Sequence, residues 1–499
     1  MANLTPIPSN DVIPELETTT VALGGPGGPM NAQAQALTNR MAYRENKIYQ
    51  GNSSLTITDT GANGEAQLVL DGATVGTMKG HTIQFTDLTR DRQVWGSIIA
   101  GTALYANTSF SSVCIDSQSN SIAVGGFEGA PCIVKYDPFG NVIWINTYTT
   151  FGGGFGDSVV VDSQDNILVT FCGYPTYTLL KMSPVDGSII WQVGLDTTYG
   201  ARLSTLIVCP DDSAVLAGDP DTLGNTPIIK VSNSGSIEWV YKISSSIYYT
   251  TIIKGTCVDT SGNVYLAIET ATGSLAPDFS NILKINPMGT LLWQAGVYID
   301  SSTAITVSSI KTGASGTYVT SSNYSASTGS TISIFKLDPI SGNTVWCKAL
   351  AQPNGGYYSV GGGYATLDSN EVLYLALPGY GVSVTAIDTT GTALWSTILG
   401  TTLSGSIHTR WGYTNADIAT RNGNLSFAGY GSFTGGENTN GLAMLFPTTG
   451  LATGELFSTF FLTPTTNSTY SVVAEATPTL VYTYTLDPYT ISSAPGTYS

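Results

Sequence analysis

Short apolar runs separated by tight polar turns recur along most of this chain. Two runs joined by a turn rich in Asp, Asn or Gly, as in SVVVDSQDNILVTF and GTCVDTSGNVYLAI, are followed by a variable stretch and two further runs. The last two runs share K-x-D-P followed closely by G-x-x-x-W, as in IVKYDPFGNVIW and IFKLDPISGNTVW. This pattern predicts antiparallel β-strands joined by short turns.

The unit recurs with a Gly four residues before a Trp. The pairs are Gly140 and Trp144, Gly187 and Trp191, Gly235 and Trp239, Gly289 and Trp293, Gly342 and Trp346, and Gly391 and Trp395. Four strands in about fifty residues predict one blade of a β-propeller, so the fold class is all-β. We interpret the Gly as a turn residue and the Trp as packing between blades. Over about residues 83–447 the repeat resembles the pyrroloquinoline-quinone-type propeller repeats.

The number of blades follows from the two ends of the repeat region. Trp95 lies 49 residues before Trp144, so its strand fits the Trp series without its preceding strands. The segments NADIATRNGNLSFAGYGS and NGLAMLF supply three strands of a unit without a Trp. If these fragments complete one blade, the ring has seven blades and no open ends. Eight blades remain an alternative, because ELFSTFF could form a separate outer strand.

Composition and charge narrow the class of protein. The 499 residues carry a net charge of −17, which argues against wrapping of nucleic acid. No apolar run is long enough to predict a membrane span, and the first residues predict no secretory signal. The six cysteines, with no CxxC pair, are predicted to be free thiols in buried strands: Cys114, Cys132, Cys172, Cys209, Cys257 and Cys347. We expect synthesis in a cytoplasm.

Candidate chemistry in the ring is sparse. Only His81 and His408 are present, and no zinc-ligand spacing, G-x-S-x-G motif, calcium cluster or sialidase Asp box can be drawn. We therefore predict no enzyme, no cofactor and no metal site, and we keep a glycoside hydrolase with two separated carboxylates as an alternative. The recurrent acids are interpreted as turn formers: Asp137, Asp162, Asp259, Asp338 and Asp388.

The segment LGGPGGPMNAQAQALTNRMAYRENKIYQG stands apart from the strand pattern. Its apolar stripe of Met30, Ala34, Leu37, Met41 and Ile48 predicts a helix of about eighteen residues that associates through a narrow face. Asn31 is the expected N-cap and Gly51 the expected stop. Such a stripe is marginal alone, so we expect it to pack on its own domain, on copies of itself or on a larger particle.

This segment resembles the N-terminal run GG-x-x-G-P-x-N-x-Q-A-Q-x-L-x-N-R of bacteriophage tail spikes and tail fibres. The matching residues are Gly24, Gly25, Gly28, Pro29, Asn31, Gln33, Ala34, Gln35, Leu37, Asn39 and Arg40. The resemblance implies a virion-anchoring segment in a tail adhesin that is made in the host cytoplasm and assembled into the tail. Its implied partners are other virion proteins, a host glycan or protein receptor, and further copies in a homotrimer.

We predict four regions: a virion anchor at 1–50, a small β collar at 51–90, the propeller at 91–447 and a β-rich tail at 448–499. The tail is expected either to pack on a partner or to be poorly ordered. Receptor contact is expected at ring loops rich in Tyr and Gly: GYPTYTL, SSSIYYTT and NGGYYSVGGGY. Ordinary blade connections are the alternative for these loops. The alternative functions are a structural nozzle or head-fibre element, a polysaccharide depolymerase, and a free bacterial propeller.

Overall fold

A computed structural model gives the architecture of the chain. The chain divides into two compact units, Met1–Arg92 and Gln93–Ser499. The structure describes residues 47–50, 53–58, 65–70, 73–79, 82–84, 95–99, 108–148, 154–172, 176–196, 202–221, 224–245, 250–271, 279–297, 304–325, 329–351, 364–378, 382–401, 417–431, 440–448, 454–457, 460–465, 471–474, 484–488 and 493–494.

The first unit contains a five-stranded antiparallel meander. Its strands are β1 (Lys47–Gln50), β2 (Ser53–Thr58), β3 (Glu65–Leu70), β4 (Ala73–Lys79) and β5 (Thr82–Gln84). The prediction that Ile48 lies on a helix is wrong, because β1 pairs with β2 and Gln50 lies opposite Ser53. Gly51 and Asn52 alone separate the two strands, and such a pair favours a two-residue hairpin over a helix end. The rest of the predicted helix lies outside the described residues.

The second unit contains a β-propeller of seven four-stranded antiparallel blades, which confirms the predicted fold. Blade 1 has β7 (Thr108–Ile115), β8 (Ser121–Phe127), β9 (Ala130–Tyr136) and β10 (Val142–Thr147). Blade 2 has β11 (Phe155–Val161), β12 (Ile167–Cys172), β13 (Thr176–Met182) and β14 (Ile189–Asp196). Blade 3 has β15 (Thr205–Val208), β16 (Ala214–Ala217), β17 (Thr226–Val231) and β18 (Ile237–Ser245). Blade 4 has β19 (Thr250–Val258), β20 (Val264–Ala271), β21 (Phe279–Ile285) and β22 (Leu291–Val297).

The remaining blades close the ring. Blade 5 has β23 (Ala304–Thr312), β24 (Thr317–Ser325), β25 (Gly329–Leu337) and β26 (Thr344–Ala351). Blade 6 has β27 (Tyr364–Leu367), β28 (Leu373–Pro378), β29 (Val382–Ile387) and β30 (Ala393–Thr401). Blade 7 has β31 (Asp417–Arg421), β32 (Asn424–Gly431), β33 (Asn440–Pro447) and, as its outer strand, β6 (Trp95–Ile99). Since β6 pairs with β33, the prediction that the Trp95 strand completes the last blade is confirmed.

Strands of the C-terminal segment extend the blades instead of forming an eighth one. They are β34 (Gly454–Phe457), β35 (Phe460–Thr465), β36 (Ser471–Ala474), β37 (Tyr484–Pro488) and β38 (Ser493–Ala494). The first two lie at the edge of blade 6, and the others add a fifth strand to blades 5, 3 and 2 in that order. These strands agree with the predicted β-rich tail, and they pair with the chain's own ring rather than with a partner. Outer strands offer unpaired backbone groups, so a nearby β-forming segment completes them.

Each Trp of the repeat connects its blade to the next one. Its indole Nε1 donates a hydrogen bond of 3.0–3.5 Å to a turn carbonyl in the following blade: Trp144 to Pro184, Trp191 to Asn233, Trp239 to Pro287, Trp293 to Pro339, Trp346 to Thr389 and Trp395 to Thr448. The repeat Gly has a positive φ, between 70° and 87°, in all six repeat turns, and five of these turns accept a Trp hydrogen bond: those of Gly187, Gly235, Gly289, Gly342 and Gly391. The interpretation of this Gly and Trp is thus confirmed.

A buried Lys accompanies the Trp in several of these contacts. The Nζ atom of Lys284 donates to the same Pro339 carbonyl at 2.8 Å, and Lys135 donates to Pro184 at 2.9 Å. Each Lys also pairs with the Asp that begins the first turn of its own blade, Asp259 at 3.3 Å and Asp116 at 2.9 Å. We call this combination of Lys, Trp and the following Gly turn the clasp. It joins neighbouring blades at one end of the ring.

The two ends of the ring differ in their connections. The turn face carries the links between first and second strands and between third and fourth strands, such as 116–120 and 137–141. The loop face carries the links between second and third strands and between blades. Twelve residues (352–363) separate Ala351 from Tyr364, and fifteen (402–416) separate Thr401 from Asp417. The chain enters the ring at the turn face, because Trp95 pairs with Leu445, near the end of β33.

The turn face is built by the periodic acids. Each of the predicted turn formers accepts backbone N–H groups two and either three or four residues further on, which confirms that interpretation: Asp137, Asp162, Asp259, Asp338 and Asp388. All six cysteines are free, and five of them are buried as predicted. Among the described residues no helix is long and apolar enough to cross a membrane.

Candidate functional site at the loop face

Irregular pairing in the innermost strands brings polar residues to the wall of the ring. The register shifts between Gly156 and Ser158 in β11, and between Ile253 and Gly255 in β19. Each shift leaves one residue with no opposite residue in the neighbouring strand: Asp157 in β11 and Lys254 in β19. A bulge of this kind redirects one side chain out of the alternating pattern. A charged residue can therefore sit within an otherwise apolar strand without disturbing the core.

Asp157 forms an ion pair with Arg202 across the boundary between blades 2 and 3. The Asp157 side chain is fully buried, whereas that of Arg202 is 18% exposed. The Arg202 guanidinium also lies over the Phe155 ring, 5.0 Å from its centroid. Burial raises the pKa of Asp157, and the charge of Arg202 opposes that rise. The pair lies at the loop-face end of blades 2 and 3, because β11 and β15 begin at that end.

Two further groups of blade 2 surround this carboxylate. Tyr177, at the start of β13, is buried, and burial together with the Asp157 charge raises the pKa of its phenol. Burial also raises the pKa of the Cys172 thiol, so it remains protonated near neutral pH. Tyr177 is one of the tyrosines in the predicted loop GYPTYTL. Its ring packs into the hydrophobic core, so this tyrosine is not exposed on the loop face.

The charges continue into blade 4 with alternating sign. Burial raises the pKa of Asp219, which follows β16, while the charges of Arg202 and Lys254 oppose that rise. Lys254 in turn lies 3.2 Å from the Glu269 carboxylate. Asp157, Arg202, Asp219, Lys254 and Glu269 thus form a network across three consecutive blades, which we call the loop-face network. Titratable groups with displaced pKa values near one opening of a ring are candidates for a functional site.

A second polar group joins blades 7, 1 and 2 in the innermost layer. The Ser112 hydroxyl donates to Asp417 at 2.8 Å, and the Val113 N–H donates to the same oxygen at 3.2 Å. Ser112 in turn accepts the Val159 N–H at 3.2 Å. Burial raises the pKa of Asp417, and the charge of Lys311 opposes the rise. These bonds hold together the region where the two ends of the ring meet.

The predicted site residues are distributed unevenly over the structure. The virion-anchoring residues between Gly24 and Arg40 lie outside the described residues. The predicted receptor loops belong to the loop face, and most of their residues, including all of 354–363, also lie outside them. Asp157, Arg202 and Asp219 are not among the site residues predicted from the sequence. The available signal was the acid within the apolar strand GFGDSVVV, which indicates either a partner or a bulge.

The network offers fixed charges and polar atoms rather than a metal site. Within the described ranges, no group of three or more His, Cys, Asp or Glu side chains could hold a metal ion. The carboxylates and cations alternate, and the Arg202 guanidinium lies over the aromatic ring of Phe155. Such groups can bind the hydroxyls of a polar ligand, and an aromatic ring adds apolar contact.

Comparisons with known proteins give fold-level similarity only. No protein-family profile and no curated protein sequence matches this chain. Among solved structures, the chain is similar to the Dos1 propeller, at 14% identity and a TM-score of 0.42, over 68% of this chain and 77% of that one. A protein from Lactobacillus plantarum matches at 14% identity and a TM-score of 0.43, over 67% and 91%.

The polysaccharide lyase Uly1 matches at 8% identity and a TM-score of 0.42, over 72% of this chain and 98% of that one. At these identities and scores, no activity is carried over to this chain. The assignment of the protein to the β-propellers rests on its own strand order.

Proposed function

We propose that this chain is a bacteriophage tail adhesin, a fibre or spike protein whose N-terminal segment anchors it in the virion. The observation that carries the proposal is the run of matches between Gly24 and Arg40 to the N-terminal run of tail spikes and tail fibres. The propeller supplies a rigid frame, and binding residues are commonly presented on loops of such frames.

The connectivity of the ring supports the loop face as the face that meets the host. The chain enters the ring at the turn face, where Trp95 begins β6. The loop face is the opposite end of the ring, and its long connections and the loop-face network make it the proposed receptor-binding face. Polar and aromatic groups of this kind suit a host-surface glycan.

Several copies of the chain would act together, and we propose a homotrimer. Binding of one ring to a small sugar patch is expected to be weak, with a Kd of about millimolar to micromolar. Linked copies gain avidity by raising the effective concentration of the second and third sites. The Met30, Ala34, Leu37 and Met41 positions provide one surface for this association.

The direct test uses purified full-length protein and susceptible cells. We expect it to bind the cells and to compete with phage adsorption while leaving the surface polysaccharide at its original length. A chain lacking residues 1–50 should keep a cooperatively melting ring but fail to incorporate into particles. The matched control carries an exchange of residues 352–363 for a Gly/Ser linker, which should incorporate normally and bind cells less well.

The outcomes separate the alternatives. Incorporation of the truncated chain into virions would contradict the anchor. Release of oligosaccharides by the purified protein would make it a depolymerase. Absence of cell binding by a protein that is present in the virion would favour a structural role in the nozzle or head fibre.

A further inference from the structure

The C-terminal strands β35 to β38 lie along the outer strands of four blades. β35 pairs with β30 over residues 396–401, and β36 pairs with β26 over residues 348–351. β37 pairs with β18 over residues 241–245, and β38 pairs with β14 over residues 194–195. We call these four C-terminal strands the strap. The strap runs around the ring from blade 6 to blade 2, against the order in which the blades follow one another in the chain.

The strap pairs with the same half of each outer strand. An outer strand begins at the turn face, after the turn that follows the third strand, and ends at the loop face. The strap pairs with the last five residues of β18 and with the last six of β30. The clasp lies at the other end, since Trp239 is the third residue of β18. The turn face and the loop face of the ring are therefore fastened by different parts of the chain.

The links between the strap strands have lengths that fit the blades they join. Five residues separate β35 from β36, and four separate β37 from β38; each of these links joins neighbouring blades. Nine residues separate β36 from β37, and this link joins blade 5 to blade 3, two steps around the ring. One residue spans at most about 3.6 Å, so such short links keep successive strap strands on nearby blades.

We propose that the strap is a fastening device for the loop face, as the clasp is for the turn face. Blades 2 and 3 can separate at the loop face only if β37 or β38 leaves its outer strand, which breaks backbone hydrogen bonds and leaves a strand edge unpaired. The Asp157–Arg202 ion pair crosses the same boundary at the same end of the ring. The strap thus holds together the two blades between which the loop-face network begins.

Hydrogen exchange of backbone amides tests the fastening in the full chain. Successive N–H groups of a strand point to opposite sides, so in Thr485→Pro/Leu486→Pro one of the two lost donors faces β18. Residues 241–245 should then exchange about tenfold faster, because an amide exchanges when its hydrogen bond opens. The matched control, Thr485→Ala/Leu486→Ala, keeps both N–H groups and should exchange as the wild type does.

A second control lies within the same outer strand. Residues 237–240 of β18, with which no described C-terminal strand pairs, should exchange equally in the Pro and Ala variants. Equal exchange over 241–245 in the two variants would overturn the proposal. Faster exchange over the whole of β18 would also overturn it, because the strap would then support the entire blade rather than its loop-face half.

A cross-link tests the placement of the strap without weakening it. Ser244 and Thr485 lie opposite one another, so Ser244→Cys/Thr485→Cys should form a disulfide within one chain on mild oxidation. The control, Ser244→Cys/Thr463→Cys, should form none, because Thr463 lies opposite Ile398 in blade 6. A disulfide in the control, or its absence in the first variant, would overturn the proposal. A disulfide between two chains would do the same, since another copy would then supply the strap.

Cell binding separates this inference from the adhesin function, on which its consequence for the receptor rests. If the strap preorganises the loop face, Thr485→Pro/Leu486→Pro should bind susceptible cells about tenfold more weakly than the Ala control. Unchanged binding together with faster exchange would overturn the connection between the strap and the receptor face. Absence of cell binding by the wild type as well would contradict the adhesin function and leave the exchange result in place.

Discussion

The indole Nε1 of Trp293 in blade 4 donates a 3.3 Å hydrogen bond to the Pro339 carbonyl in blade 5. Lys284 donates to the same oxygen at 2.8 Å, so one turn of blade 5 is held by two donors from blade 4. The Trp293 ring also packs edge-on against Tyr265, with centroids 5.8 Å apart. The Trp that recurs in each blade is therefore explained by its contact with a turn of the next blade.

Trp293→Phe should destabilise the ring by about 1 kcal/mol, because it removes the hydrogen bond to Pro339 but keeps an aromatic ring in place. Urea unfolding followed by circular dichroism measures the change. Leu394→Ala, at a residue that is 54% exposed, serves as the control and should have little effect. A Trp293→Phe variant as stable as the wild type would show that the clasp bond contributes nothing net.

Gly342→Ala tests the close approach between the turn and the Trp ring. Gly342 has a φ of 74°, and a Cβ atom there would lie 2.7 Å from a ring carbon of Trp293. Gly129 has a φ of 84° with no heavy atom within 4 Å of the same position. Gly129→Ala should therefore cost about 1 kcal/mol from backbone strain alone, and Gly342→Ala clearly more. Equal losses of thermal stability would refute the steric part of this explanation.

The acids that pair with buried lysines at the turn face, such as Asp162 with Lys181 at 2.7 Å, predict loss of stability in acid. Burial alone would raise the pKa of Asp162, but hydrogen bonds from Lys181 and Asn166 outweigh it and lower the pKa below the usual Asp range. The native state then binds fewer protons than the unfolded chain, so this contribution is present above the unfolded pKa and lost as pH falls through the folded one. Asp162→Asn should reduce the dependence of the unfolding midpoint on pH below about 4. An unchanged pH profile would contradict this assignment.

For the Asp157–Arg202 pair, we expect that removing the Arg202 charge destabilises the protein less at low pH than at neutral pH. Arg202→Met should destabilise the protein by about 3–5 kcal/mol near neutral pH, since it leaves a buried carboxylate without its cation. Because burial raises the pKa of Asp157, protonation relieves the penalty, so the loss should shrink as pH falls through that pKa and grow as pH rises. The double variant Asp157→Asn/Arg202→Met should recover part of the stability. A loss independent of pH would mean that packing of the Arg202 stem dominates.

The sequence alone determined the repeat and hence the fold. Gly and Trp at fixed spacing and Asp-rich turns are local features, since turn dihedrals and strand alternation depend on neighbouring residues. The prediction that the Trp95 strand completes the last blade needed only the spacing of 49 residues between Trp95 and Trp144. The pairing of β1 with β2 also had a local signal, the Gly51-Asn52 pair, which competes in the sequence with the apolar stripe of the preceding segment.

Only the tertiary structure decided which residues meet between blades. Asp157 and Arg202 are separated by 45 residues, and their contact depends on a bulge that one sequence does not reveal. The order of the C-terminal strands around the ring likewise depends on edges that exist only after the blades have formed. Ile143 and Ile190 resemble core residues in the sequence, yet both are about half exposed. The physical reason is that alternation within a strand specifies two faces, whereas the packing of neighbouring blades decides whether each face is covered.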